Sequence, residues 1–121
     1  MRRASDNAAT AAIDPNTLLR TVIDENPNII LMKDWDGKFL LGNRALANLY
    51  GTTPEELVGK DDSAFNPNAE QVAFYLQNVR EVMSQTQTQM VMEESTNAAT
   101  GEVSYYQSIK KPLVTRDGKK Q

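Results

Sequence analysis

The chain has neither cysteine nor histidine, and each absence removes chemistry. No disulfide can form, and nothing ties the chain to an oxidising compartment. A cysteine nucleophile, a serine–histidine pair and an imidazole general base are all excluded. Thiolate and imidazole metal sites go with them. An all-carboxylate site or a lysine base stays open, but the class expected is a non-catalytic regulatory domain with no metal. Long apolar runs are missing too: the longest, Ile29-Ile30-Leu31-Met32, is strand length, far short of the ~18 residues that suggest a membrane span. Met1-Arg2-Arg3 is basic, yet no hydrophobic stretch follows as a secretory signal would need. Nor is there surplus positive charge: 13 Lys+Arg against 16 Asp+Glu gives a net charge of −3, the opposite of a nucleic-acid surface. The expectation is therefore a cytoplasmic segment with no nucleic-acid partner and no membrane contact. Its 121 residues suffice for one domain with a modest core.

What is present reads as alternating short elements. Residues 1–14 are polar and alanine-rich, a flexible N-terminal segment. Asp14 is placed to cap a helix with Pro15 in its first turn. Leu18, Leu19, Val22 and Ile23 recur at helical spacing, so residues 15–26 form an amphipathic helix that stops before Pro27. Asn28 to Lys33 is β-like, Asp34 to Gly37 has turn chemistry, and Lys38 to Gly42 returns as the second strand of a hairpin. Asn43 caps a helix containing Ala45, Leu46 and Leu49, which Gly51 closes. Thr53 and Glu56 are spaced as a capping box, and a further short helix covers Asp61 to Phe65. Asn66-Pro67 opens the longest helix, with Val72, Tyr75, Leu76, Val79, Val82 and Met83 along one face. Gln89 to Ser95 and Val103 to Thr115 read as a second hairpin turning at Asn97 to Gly101, with Pro112 marking a bend or edge. Arg116-Asp117-Gly118 reads as one more turn. The order defines an α+β fold with an antiparallel sheet.

These segments, taken in order, resemble a PAS domain. The resemblance is carried by Asn26-Pro27, Asp34-x-Asp36-Gly37, Phe39-Leu40-Leu41-Gly42-Asn43-Arg44-Ala45, Tyr50-Gly51, Pro54-Glu55-Glu56-Leu57-Val58-Gly59-Lys60 and Ile109-Lys110-Lys111-Pro112-Leu113 before Asp117-Gly118. It covers roughly residues 18–121 and assigns 27–121 to the PAS domain, with 15–26 as a flanking helix. It implies a nominally five-stranded antiparallel sheet with short helices on one face. The family's fifth strand, central in that sheet, has no counterpart before Gln121, so the expectation is a C-terminally incomplete domain, or a slot filled by a partner or the N-terminal segment.

The resemblance also implies a cavity between the inner sheet face and the central helices. Placing Lys33 toward water puts Ile30 and Met32 inward by alternation, and Phe39 and Leu41 share the Asn43 face. Leu46, Leu49, Phe74, Met90 (or Val91) and Tyr105 complete the candidate lining. The cavity is either a small-molecule pocket or a filled core. Asp34 and Asp36 could suggest a cation, but the further acidic ligands of a calcium loop are missing, so Asp34 and Gly37 read as turn residues. Asp61-Asp62 reads as solvated or capping. Glu93 and Lys110 are expected to face each other as an exposed pair across the last hairpin. No Asp or Glu is expected to point inward. On the outer face, Ile29 and Leu31 should be covered by Leu18, Leu19, Val22 and Ile23, and such flanking helices mediate PAS dimers, so a homodimer is expected. The functional expectation is a sensory module of a histidine kinase or diguanylate cyclase, linked to an output domain. Its alternatives are a ligand-free dimerisation relay and a small carboxylate enzyme. PAS haem sensors use histidine and photoactive flavin classes use cysteine, so neither cofactor is expected here.

Overall fold

The computed structural model describes residues 13–85, 87–97 and 99–113. Helix α1 spans Pro15–Glu25; Asp14 Oδ2 accepts from the Thr17 amide at 3.3 Å, and Pro15 occupies the first turn. The first hairpin pairs β1 (Leu31–Lys33) with β2 (Phe39–Gly42) in antiparallel register, Leu31 opposite Gly42 and Lys33 opposite Phe39. Its turn is held by Asp34 Oδ1, which accepts from the Asp36 and Lys38 amides at 2.9 Å each. Gly37 supplies the positive φ of 79° that the turn requires.

Helix α2 (Arg44–Tyr50) is capped by Asn43 and closed by Gly51 at φ 67°. Helix α3 (Pro54–Leu57) follows, then a 3₁₀ turn at Asp62–Ala64. The capping box is half formed: Thr53 Oγ1 accepts from the Glu56 amide at 3.4 Å, but the Glu56 carboxylate takes the Thr52 hydroxyl at 3.1 Å. Helix α4 (Ala69–Met83) starts later than expected, because Asn68, rather than Asn66, caps it through the Glu70 and Gln71 amides. Asn66 is buried instead, donating to Gln71 Oε1 at 3.1 Å. The second hairpin pairs β3 (Gln89–Thr96) with β4 (Val103–Lys110), Gln89 opposite Lys110 and Thr96 opposite Val103. Strand β4 thus ends at Lys110, well before Thr115. The expected continuation at 114–115 and the turn at 116–118 lie outside the described residues, as do residues 1–12.

Phe39, Leu46, Ala47 and Leu57 form the buried core under the first hairpin, with Ile29, Leu49, Tyr50 and Phe65 packed around them. Full burial of one such large side chain contributes about 1.5–3 kcal/mol. Gly42 is part of that packing: a Cβ there would sit 2.6 Å from Leu57 Cδ1. Tyr75, Val79, Val82 and Met83 make the buried face of α4, as the spacing anticipates. The hairpins form two separate two-stranded sheets among the described residues.

Candidate functional site

Between the hairpins, over the buried face of α4, lies a cleft of about 780 Å³ with β1 on one side and β4 on the other. Of the anticipated lining residues, Ile30, Met32, Leu46 and Leu49 border it. The other five do not. Phe39 is fully buried in the core beneath, and Leu41 is half-buried outside the cleft. Phe74 lies on the solvent side of α4, 44 % exposed, because its neighbour Tyr75 takes the inward position. Met90 and Tyr105 are on the outer face of the second hairpin, Tyr105 71 % exposed. Strand alternation puts Val91, Glu93 and Ser95 of β3 and Tyr106, Ser108 and Lys110 of β4 on the inner face instead.

The cleft is more polar than expected. Lys33 points inward, against the expectation of a solvated lysine. Its Nζ lies 2.5 Å from Asp62 Oδ2, with both side chains nearly excluded from water, and over the Phe39 ring at 5.1 Å. The pairing slips by one residue between Met32 and Lys33, with Leu40 of β2 as the extra residue, and Met32 and Lys33 both border the cleft. Ile29 and Leu31 border it too, and Ile29 packs on the core rather than under α1.

Asp62 is buried, not solvated: Tyr50 Oη donates to its Oδ1 at 2.6 Å. Its neighbour Asp61 does cap, accepting from the Ser63 amide at 2.9 Å. Glu93 and Lys110 pair at 2.7 Å on the inner face. The register opposes Glu93 to Tyr106 and Lys110 to Gln89, so the pair leans across Val91 and Ser108 and is largely shielded. Two carboxylates therefore do face the cleft. Burial lowers the Lys110 pKa, partly offset by Glu93. Burial also raises the Tyr50 and Tyr75 pKa, with the Asp62 charge adding to both. Tyr75 Oη donates to the Glu94 carbonyl. Ser95 Oγ stands beside these tyrosines, 5 % exposed, and its interaction with their hydroxyls offsets part of both shifts.

None of this polar constellation shows in periodicity. Its legible trace was Glu93 and Ser95 alternating through β3 with Val91, a polar inner face that a packed core would not carry.

Helix α1 docks at the corner between β2 and α2. Arg20 Nη2 donates to the Gly42 carbonyl at 2.6 Å, and Asp24 Oδ1 accepts from the Arg44 amide at 3.0 Å. Its apolar residues Leu18, Leu19 and Val22 remain exposed, so the anticipated cover over Ile29 and Leu31 is not made among the described residues. Asp34 and Asp36 act in the turn, Asp36 facing Arg80 at 3.7 Å. Among the described residues no group of acidic side chains could hold a metal ion, and no helix is long and apolar enough to cross a membrane.

Two hairpins enclosing a cleft against short helices and one longer helix define an α+β module. A family profile described as the PAS fold matches residues 23–121, and the chain belongs to that family, whose members are sensory domains of signalling proteins. Solved structures agree in fold. VqmA bound to DPO superposes with a TM-score of 0.74 at 22 % identity, over 87 % of this chain and 52 % of that one. A Vibrio cholerae VqmA–ligand–DNA complex gives 0.74 at 21 %, over 92 % and 49 %. The PAS domain of Bordetella pertussis BvgS gives 0.66 at 20 %, over 89 % and 80 %. A domain of a sensor histidine kinase/response regulator from Geobacter sulfurreducens gives 0.60 at 14 %, over 87 % and 88 %. The chain spans about half the length of the VqmA chains it matches. No curated protein sequence matches it.

Proposed function

We propose that the chain is the ligand-sensing PAS module of a cytoplasmic signal-transduction protein, which acts as a homodimer on a covalently linked output domain. The observation that carries the sensing reading is the cleft of about 780 Å³, with Glu93, Ser95 and Lys110 on one wall and Leu46, Leu49 and Val82 on the other. A space of that size, mostly apolar with a few convergent polar groups, suits a small molecule better than a finished core. A bound molecule would shift the module between two conformations. The ligand-free relay lacks that rationale. A carboxylate enzyme gains little from the inward Asp62, because its two oxygens are held by Lys33 and Tyr50.

With no histidine or cysteine in the sequence, haem on histidine and cysteinyl flavin are not part of this reading, and the ligand is colourless. A histidine kinase or diguanylate cyclase output is the first reading, supported by the sensor kinase neighbour. A DNA-binding output is the second, supported by the VqmA complex with ligand and DNA. Native mass spectrometry of the chain purified from cells tests the sensing reading. The expected spectrum shows a mass above that of the polypeptide, released on denaturation, without visible absorbance. A bare polypeptide mass, unchanged after incubation with cell extract, would favour the relay.

A further inference from the structure

We propose that the two shielded ion pairs at the cleft form one exchangeable latch between the hairpins, in which Lys33 and Lys110 each pair with either Asp62 or Glu93. This goes beyond the sensing reading and requires no ligand. The pair Lys33–Asp62, at 2.5 Å, joins β1 to the 3₁₀ turn, and Glu93–Lys110, at 2.7 Å, lies within the second hairpin. All four side chains border the same cleft, and no strand pairing joins the two hairpins among the described residues. Lys111 borders the cleft too, but it is exposed and stands in neither pair.

Tyr75 of α4 brings the pairs within reach of each other. Lys33 Nζ lies 5.5 Å from the centre of its ring, and its hydroxyl donates to the carbonyl of Glu94, the residue after Glu93 on β3. Both Asp62 and Glu93 act by charge on that hydroxyl, and both Lys33 and Asp62 act by charge on Lys110. Each ammonium sits on a flexible four-carbon stem, so rotation of its side chain alone changes its partner. Stability does not account for the cluster. Two ion pairs taken out of water carry a desolvation cost that apolar side chains of the same volume avoid. What four such charges supply is a second pairing that keeps every charge compensated. Lys33 with Glu93 would tie β1 to β3, and Lys110 with Asp62 would tie β4 to the 3₁₀ turn. The module thereby holds a two-state element that sets how its hairpins meet.

Thermal unfolding of the full chain separates a latch from two independent pairs. Asp62→Asn and Lys110→Met each strand one buried charge, and each should lower the midpoint by roughly 10 °C. The double variant leaves Lys33 and Glu93, which should then pair, so its midpoint should be no lower than that of Asp62→Asn alone. A double loss closer to the sum of the two single losses would overturn the latch. The wild-type chain tests it without a substitution, through NMR couplings across the Nζ–H···O hydrogen bonds. Lys33 should couple to the carboxyl carbons of both Asp62 and Glu93. Coupling of Lys33 to Asp62 alone and of Lys110 to Glu93 alone would overturn the latch and leave ligand sensing standing, since that is read from the retained mass.

Discussion

Tyr50 shows how one buried group links packing to protonation. Its ring stacks on Phe65 at 5.3 Å, and its hydroxyl donates to Asp62, which is also paired with Lys33. Burial is the first cause of its raised pKa, and the negative charge of Asp62 is the second. A tyrosine whose folded pKa lies above its ordinary value of about 10 stabilises the fold below pH 10 and loses that contribution as pH rises further. Tyr50→Phe keeps the stacking and removes the hydrogen bond to a charged acceptor, which should cost about 1.5–3 kcal/mol at pH 7. Above pH 10 the wild type should lose stability faster than the variant, so the difference between them shrinks. Lys110 titrates with the opposite sign, its lowered pKa favouring the fold as pH rises, but it is common to both proteins and cancels in the comparison. Urea unfolding at pH 7, 9 and 11 reads this directly, and a gap that stays constant to pH 11 would contradict it.

At the scale of elements, Asn43 does more than cap. Its Oδ1 accepts from the Leu46 amide at the start of α2 and from the Ile30 amide just before β1. Its Nδ2 donates to the Ile23 carbonyl of α1 and the Asn28 carbonyl, each at 2.8 Å. One fully buried amide side chain thereby joins α1, β1 and α2. Asp ordinarily replaces Asn at a helix N-cap almost without cost. Here it would set a buried carboxylate against two carbonyl oxygens, so Asn43→Asp should be destabilising by at least as much as Asn43→Ala, about 2–4 kcal/mol. Chemical denaturation of both variants checks the order. The cap was legible from Asn43 preceding an apolar helix, because capping is local chemistry. So were the Asp34–Gly37 turn and the apolar face of α4, where sequence spacing fixes geometry. The orientation of β1 was not. A three-residue strand gives alternation little to work on, and the partner that holds Lys33 inward, Asp62, lies 29 residues further along the chain. Phe74 and Tyr105 were misplaced for a related reason: each has an aromatic neighbour, and tertiary packing chose Tyr75 and Tyr106 for the inner side.

At the scale of the whole molecule, the remaining question is what meets the exposed apolar surface. Leu19 and Val22 of α1 are 64 % and 68 % exposed, although α1 is anchored by Arg20 and Asp24 on its other side. The outer face of the second hairpin carries Met90, Met92, Tyr105 and Ile109, all exposed. Apolar groups clustered in this way favour association over hydration, which supports the proposed homodimer through α1. Removing residues 1–25 would be a poor test, since it also strips the Ile23 carbonyl and Asp24 from the Asn43 and Arg44 contacts. Leu19→Asp and Val22→Asp are cleaner, because both positions face solvent and take no part in that anchor. Sedimentation equilibrium should give a dimer mass for the wild type and a monomer mass for the double variant, with matching circular dichroism spectra. If the double variant sediments as the wild type does, α1 is not the interface. Met92→Asp with Tyr105→Asp then asks whether the outer sheet face is, and because neither residue borders the cleft, ligand affinity should be preserved while the mass halves.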